Sequence, residues 1–383
     1  MLGVTYIPAP VVASAANAEP QSQRREVSRV TIGHIRRQAR VRKVKRLNWL
    51  ALTLGMLMGA MTDVTAQTPA TTDPECRMRD SDKTWLDRTV VAWRHAAMNY
   101  GQFIVPANAR AVIGSADCVL ISDTALFPNK PVAWTAVSGK GQIPVVGDVV
   151  MPLSPVSQAM EVNGKPYFVM STPSVWRNFD ISGGKIGLEN LMTAVFIHET
   201  AHVLQQKSYF SRMDAIAKSH GLPEEFDDDS IQKRFKSDNG FVESMKRETA
   251  FLFAAAKAPT VARARQLARQ MLSLAKARRN NYFTGNDAYL ADVEDIFLTL
   301  EGSGQWLGHQ WLIDPMGGNL PEADALARFT TDPGFWSQEQ GLALFMVVDR
   351  LDKGAWKQIA FGDGGRSGIA FLEAGLARET RPR

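Results

Sequence analysis

"AVFIHETAHVLQQ", Ala194–Gln206, sets two of the chain's six histidines four residues apart, with a glutamate beside the first. Residues four apart lie on one face of an α-helix, one turn from each other, so the rings of His198 and His202 can reach a single ion. The preceding "LENLMTAVFI" (Leu188–Ile197) is apolar enough for a core helix, with Leu188, Leu191, Val195 and Phe196 as buried positions. "VLQQ" continues that helix without Pro or Gly. Two imidazoles in such a setting without a partner would cost several kcal/mol. The H-E-x-x-H spacing therefore reads as a zinc site, with three protein ligands and one position open to water. Glu199 is the general base expected to take that water's proton and pass it to a leaving amine. The competing reading is a pair of core histidines hydrogen-bonded to backbone.

The third ligand must come from elsewhere, because Lys207, Ser208 and Tyr209 follow where a further histidine on the same segment would begin. A distant carboxylate is expected. "VESMKRETAFLFAAA" (Val242–Ala256) offers Glu243 and Glu248 on an amphipathic helix. "DVEDIFLTLEGSGQWLGHQW" (Asp292–Trp311) offers Glu294 and Glu301, seven apart and so nearly on one face. Glu301 is the first choice, since Leu298, Leu300 and Trp306 surround it where an unpaired carboxylate would be costly, and Gly302 and Gly304 allow close backbone approach. Glu248 is the main rival and Glu294 the next. The alternative role of each is an ion pair with the arginines of "ARARQLARQMLSLAKARR" (Ala262–Arg279), expected to apply to one or two of them. His309 and Tyr289 are the candidates for stabilising a transition-state oxyanion. His220, before Gly221 and Pro223, reads as a helix C-terminal residue, and His95 lies on an early amphipathic helix.

"HETAH" together with the later "EGSGQW" resembles the gluzincin class of zinc metallopeptidases, whose third ligand is a glutamate often written E-G-x-A-x-[YW]. Gly304 stands where that pattern has Ala, and the gap of about 100 residues between the motifs is longer than in the best-known members. The resemblance covers Leu188–Leu312. It implies a zincin-like fold in which an edge strand beside the active-site helix binds extended substrate, and "KPYFVMSTPSVW" (Lys165–Trp176) is the candidate for that strand, with an ordinary core strand the equal alternative.

The chain around the motif has 383 residues, 45% hydrophobic and 22% charged, an ordinary globular balance. Its net charge of +5 is unevenly placed. Residues 1–66 hold ten Lys/Arg against three acids, leaving 34 against 36 in the rest, so no nucleic-acid partner is expected. "VRKVKR" (Val41–Arg46), the 15 apolar-rich residues Leu47–Met61, and Val64 and Ala66 before a cleavage point form a secretory signal spanning about 41–66. That run is short for a membrane span, so a secreted or periplasmic protein without a stable membrane anchor is expected. Residues 1–40 have no place in such a signal, and the true start is expected near Val41. Residues 67–83 read as a polar linker, 84–185 as a mixed α/β region of short β-branched runs, and 186–383 as a helical zinc-binding catalytic region. The fold class is thus α+β and mainly helical, with a small mixed or antiparallel sheet. Cys76 and Cys118 suit one disulfide in an oxidising compartment. The acidic "EEFDDDS" (Glu224–Ser230) reads as a solvated loop, and Gln338–Ile359 as a core helix ending in a Gly-Ala-Trp turn.

Three functions compete: an exported zinc metallopeptidase acting on a peptide or protein, a secreted metal-binding or interaction protein without turnover, and a zinc hydrolase of non-peptide substrates. The leader reading has its own test. N-terminal sequencing of the exported protein is expected to begin at Gln67, and a start well upstream would defeat it.

Overall fold

The computed structural model describes residues 76–102, 109–123, 131–139, 141–146, 149–223, 226–330, 335–362 and 364–378. The expected signal and the segment before it, His34 included, lie outside these residues, as do Glu224 and Glu225. The fold is α+β and mainly helical, as the hydrophobic periodicity implies.

Helix α1 (Asp80–Ala96) begins inside the expected linker and ends in a π-helical turn, Ala97–Gly101. Asp80 and Asp82 occupy its first turn, where carboxylates meet the positive end of the helix dipole. Asp82 is buried there and accepts hydrogen bonds from Ser174 N (3.1 Å) and Ser174 Oγ (2.5 Å). Trp85, Leu86, Val90 and Trp93 form its buried face.

Seven strands follow among the described residues: β1 (Arg110–Gly114), β2 (Cys118–Ser122), β3 (Trp134–Ser138), β4 (Gln142–Val146), β5 (Val149–Pro152), β6 (Ser157–Val162) and β7 (Lys165–Ser171). Five make one mixed sheet in the order β3-β2-β1-β7-β6, parallel only between β1 and β7 (Val112 opposite Val169). Period-2 alternation sends Ala111, Ile113, Phe168 and Met170 to the face covered by helices. Val112, Val119, Tyr167 and Val169 go to the other face, beneath the separate β4–β5 ribbon with Ile143 and Val145. The disulfide Cys76–Cys118 is formed and ties the segment before α1 to β2.

Of the two roles open to Lys165–Trp176, the edge strand is not the one taken; its first seven residues form a core strand. Lys165–Ser171 lies inside the sheet, paired on both sides, and Pro173–Arg177 is a short helix, α2. Six of the seven β7 residues are buried, which is the continuous apolar texture of a strand covered on both faces. The edge beside the helices is β6, whose burial alternates along its first residues.

The helical part consists of α3 (Leu188–Gln205), α4 (Ser211–His220), α5 (Ser230–Phe235), α6 (Asn239–Ala256), α7 (Val261–Tyr282), α8 (Leu290–Ile313), α9 (Glu322–Ala327), α10 (Trp336–Asp352), α11 (Lys357–Ala360) and α12 (Gly368–Ala377). Helix α3 is apolar on every side and correspondingly buried on every side, with Leu188, Leu191, Val195 and Phe196 all in the core. It packs against β6, β7, α1 and α8. A π-helical turn, Gln206–Phe210, joins it to α4, which closes on Gly221 at φ 60° as expected for His220–Gly221. No described helix is long and apolar enough to cross a membrane.

Two glycine contacts let α8 approach its neighbours. A Cβ on Gly302 would lie 2.5 Å from Gly341 O of α10, and one on Gly308 3.1 Å from Ala194 O of α3. One apolar cluster runs from Trp85 through α3, α8 and α10 to Leu376. Reducing the Cys76–Cys118 bond, which closes a separation of 42 residues, is expected to lower stability by about 4 kcal/mol from loop entropy. Urea denaturation with and without dithiothreitol reads this as a lower midpoint.

Candidate metal centre

Helices α3 and α8 supply the centre from their facing sides. His198 and His202 sit one turn apart on α3, with Nε2 atoms 2.8 Å from each other. Glu301, midway along α8, places Oε2 3.4 Å from His198 Nε2 and Oε1 3.4 Å from His202 Nε2. Among the described residues these three form the one group of histidine, cysteine and acidic side chains that could hold a metal ion. Their ligand atoms all lie within 4.8 Å of one another, and His202 and Glu301 are fully buried.

The donor set fits zinc. Two nitrogens and one carboxylate are the ligands such an ion takes, and atoms about 2.1 Å from a shared tetrahedral ion stand about 3.4 Å apart. The imidazole–imidazole separation is tighter than that. Both Glu301 oxygens lack a hydrogen-bond partner among the described residues, and so does His198 Nδ1. A carboxylate in that position is costly unless a cation meets it.

The charges respond to this enclosure. Burial and the neighbouring His202 hold the His198 imidazole below the ordinary histidine range. His202 is raised: burial opposes its charge, but Glu301 and then Glu199 outweigh that. Glu301 is brought down to about 2, because the two imidazoles overcome a burial effect of the opposite sign. Glu199, beside His198 and also buried, is raised to about 7, chiefly by burial. His202 counters that rise, Glu301 adds to it, and Ser157 and the Ala159 amide of β6 oppose it. Its Oε2 has no hydrogen-bond partner among the described residues.

His198, Glu199 and Glu301 line one narrow cleft of about 20 Å³, room for little more than a water molecule. Its walls are otherwise mostly apolar, with Ile186, Leu191 and Val195 on one side and Leu312 and Phe329 on another. Gln305, Arg328 and Gln338 add polar groups. A wider groove of about 710 Å³, lined by Arg177, Asp180 and residues 186–190, shares Ile186 with the cleft.

The other glutamates are placed elsewhere. Glu248 accepts from Arg278 Nε (2.8 Å) and Nη2 (2.9 Å) and from Gln340 Nε2 (3.1 Å), deep in the helical core. Glu294 accepts from Arg279 Nε (2.8 Å) and pairs with Arg278. Both therefore take the ion-pair role that the arginine-rich α7 offered. Glu243 is exposed beside Lys246. Neither oxyanion candidate lines the cleft: Tyr289 stacks on His220, with ring centroids 4.3 Å apart. His309 is buried edge-on to Phe329, where burial and then the charge of Lys257 lower it to about 4. His95 pairs with Asp314 at the end of α8.

The acidic loop is also corrected. Asp227 pairs with Lys233, but Asp228 is buried under Ser337 Oγ (3.3 Å). Burial and the charge of Glu301 raise its carboxyl well above the usual range. The residue pattern hid this because a run of acids reads as solvated unless the fold closes over one of them.

The H-E-x-x-H pattern gives Gln205 no role, yet its side chain joins the centre: its Oε1 lies 3.2 Å from His202 Nδ1. Its signal was a polar side chain three residues after His202, on the same helix face. Comparison with known proteins returns no matching family model, no matching curated protein and no matching solved structure.

Gly304 packs under the His198 ring. A Cβ there would lie 2.8 Å from Nδ1, so the glycine that departs from the E-G-x-A pattern is what admits this imidazole. Gly304→Ala is therefore expected to displace the ring and weaken zinc binding by about tenfold or more in a chelator competition. Unchanged affinity would show that the ring adjusts without cost.

Proposed function

We propose that this protein is an exported, zinc-dependent metallopeptidase of the gluzincin kind, with His198, His202 and Glu301 as ligands and Glu199 as general base. The observation carrying the reading is the buried group of two imidazoles and one carboxylate, whose oxygens have no hydrogen-bond partner among the described residues. Export rests on the leader sequence, which agrees with a formed disulfide.

Bound in this group, zinc would supply Lewis acidity toward a scissile carbonyl, worth several kcal/mol of charge stabilisation. The chain's own residues do the rest. Glu199, poised near neutrality at the cleft, accepts a proton from the attacking water at its unpartnered Oε2 and returns it to the leaving amine nitrogen. Apolar walls limit the water that enters. Strand β6 runs beside α3 at the sheet edge, where an extended peptide could add as a further strand.

One observation favours a second reading: a cleft with room for little more than a water also suits a metal-holding protein without turnover. Three variants separate the readings by zinc analysis, peptide hydrolysis and denaturation. Glu199→Gln is expected to keep one zinc per chain and lose about 10²- to 10⁴-fold in hydrolysis. Glu301→Ala is expected to lose zinc. Glu248→Ala is expected to keep zinc while losing several kcal/mol of stability, because it strips a partner from the buried Arg278. A wild type that holds zinc but cleaves no peptide supports the second reading or a non-peptide substrate. Zinc lost only from the Glu248 variant would overturn the ligand choice.

A further inference from the structure

His202 and His198 are held differently behind their Nε2 atoms. His198 Nδ1 has no hydrogen-bond partner among the described residues and faces Gly304. His202 Nδ1 meets Gln205 Oε1 at 3.2 Å. Gln205 is fully buried, and its Nε2 donates to Ser303 Oγ (3.0 Å) and to the backbone carbonyl of Ala360 (3.1 Å).

That second acceptor decides the whole chain of bonds. A backbone carbonyl can only accept, so the amide must turn its NH2 toward Ala360. Ser303 uses its own proton on Leu300 O (3.3 Å) and is left to accept from Gln205. With both N–H groups spoken for, Oε1 is the atom aimed at His202, and an amide oxygen can only accept. Nδ1 therefore carries the proton, and Nε2 presents its lone pair to the centre.

We infer that Gln205 is a positioning residue for the metal centre, fixing the tautomer and ring orientation of His202 by a relay anchored on Ala360 O. The inference rests on the reading of His198, His202 and Glu301 as ligands. It also gives the closing part of the chain a role beyond packing. Ala360 ends α11, and the segment behind it is docked on the continuation of α3: Arg212 Nη1 donates to Gly364 O (3.4 Å), and the Tyr209 hydroxyl donates to Arg366 O. The Gln205 relay thus joins three elements, α3, α8 and α11, at one ligand.

The experiment uses the full chain and Zn2+ as the probe. Zinc affinity is measured by competition with a chelator, the His202 tautomer by 15N-detected NMR of the metal-free protein, and folding by thermal denaturation. Wild type is expected to show His202 protonated at Nδ1. Gln205→Leu is expected to lose that tautomer preference and bind zinc about 10- to 100-fold more weakly. Gln205→Glu, which keeps an acceptor for Nδ1–H, is expected to recover most of the affinity. It also serves should the leucine variant fail to fold. A neutral wild-type His202 ring protonated at Nε2 alone, a folded leucine variant binding zinc as tightly as wild type, or a folded glutamate variant binding as weakly as a folded leucine one would each overturn the relay. A wild type that holds no zinc would instead sink the metallopeptidase reading, while the tautomer measurement would still decide this one.

Discussion

A carboxylate buried on α8 faces two imidazoles on α3, and neither of its oxygens has a hydrogen-bond partner among the described residues. Taking an ionised carboxylate out of water costs several kcal/mol even after relaxation, so such a group persists only where a positive charge is available to it. His202, raised above the ordinary histidine range, supplies some of that charge, and a divalent cation would supply more. Around this requirement α3 and α8 pack closely. Gly304 makes room for the His198 ring, and Gly308 lets the helix pass the Ala194 carbonyl.

The same helix shows how one residue type is given different work. Glu294 and Glu301 are seven apart and share a face of α8, yet their surroundings differ because different elements cross α8 at the two levels. At Glu294 the neighbours are Arg278 and Arg279 of α7, which neutralise it together with Glu248 and Asp295. At Glu301 the neighbour is α3, which brings neutralisable imidazoles and no guanidinium. The first arrangement is an ion-pair cluster that holds α6, α7 and α8 together. The second sets both carboxylate oxygens 3.4 Å from imidazole nitrogens, donor atoms that can converge on one ion.

Rigidity around the centre comes from parts of the chain remote in sequence. The sheet backs α3 through β6 and β7, α1 covers its other side, and the end of the chain meets Gln205 through Ala360. The resulting cleft is narrow and largely apolar, and Ile186 lines both it and a wider groove. For the proposed peptidase, that geometry asks an extended substrate to reach Glu199 along the free edge of β6.

Local pattern alone determined the α+β, mainly helical class, the buried helix around "HETAH" and the alignment of His198 with His202, and it made a Cys76–Cys118 bond an option that the structure then showed formed. The first three follow from periodicity and apolar run length, which act over a few residues. The preference for Glu301 was also legible, because Leu298, Leu300 and Trp306 marked an apolar setting. Only the tertiary structure decided what a single strand or side chain cannot carry. It put Lys165–Ser171 inside the sheet and β6 at its edge, since strand order depends on which strands pair across long gaps. It gave Glu248 and Glu294 to α7's arginines, turned Tyr289 and His309 away from the cleft, buried Asp228, and brought Gln205 between His202 and Ala360. Each of those outcomes depends on which helix crosses which, and at what level.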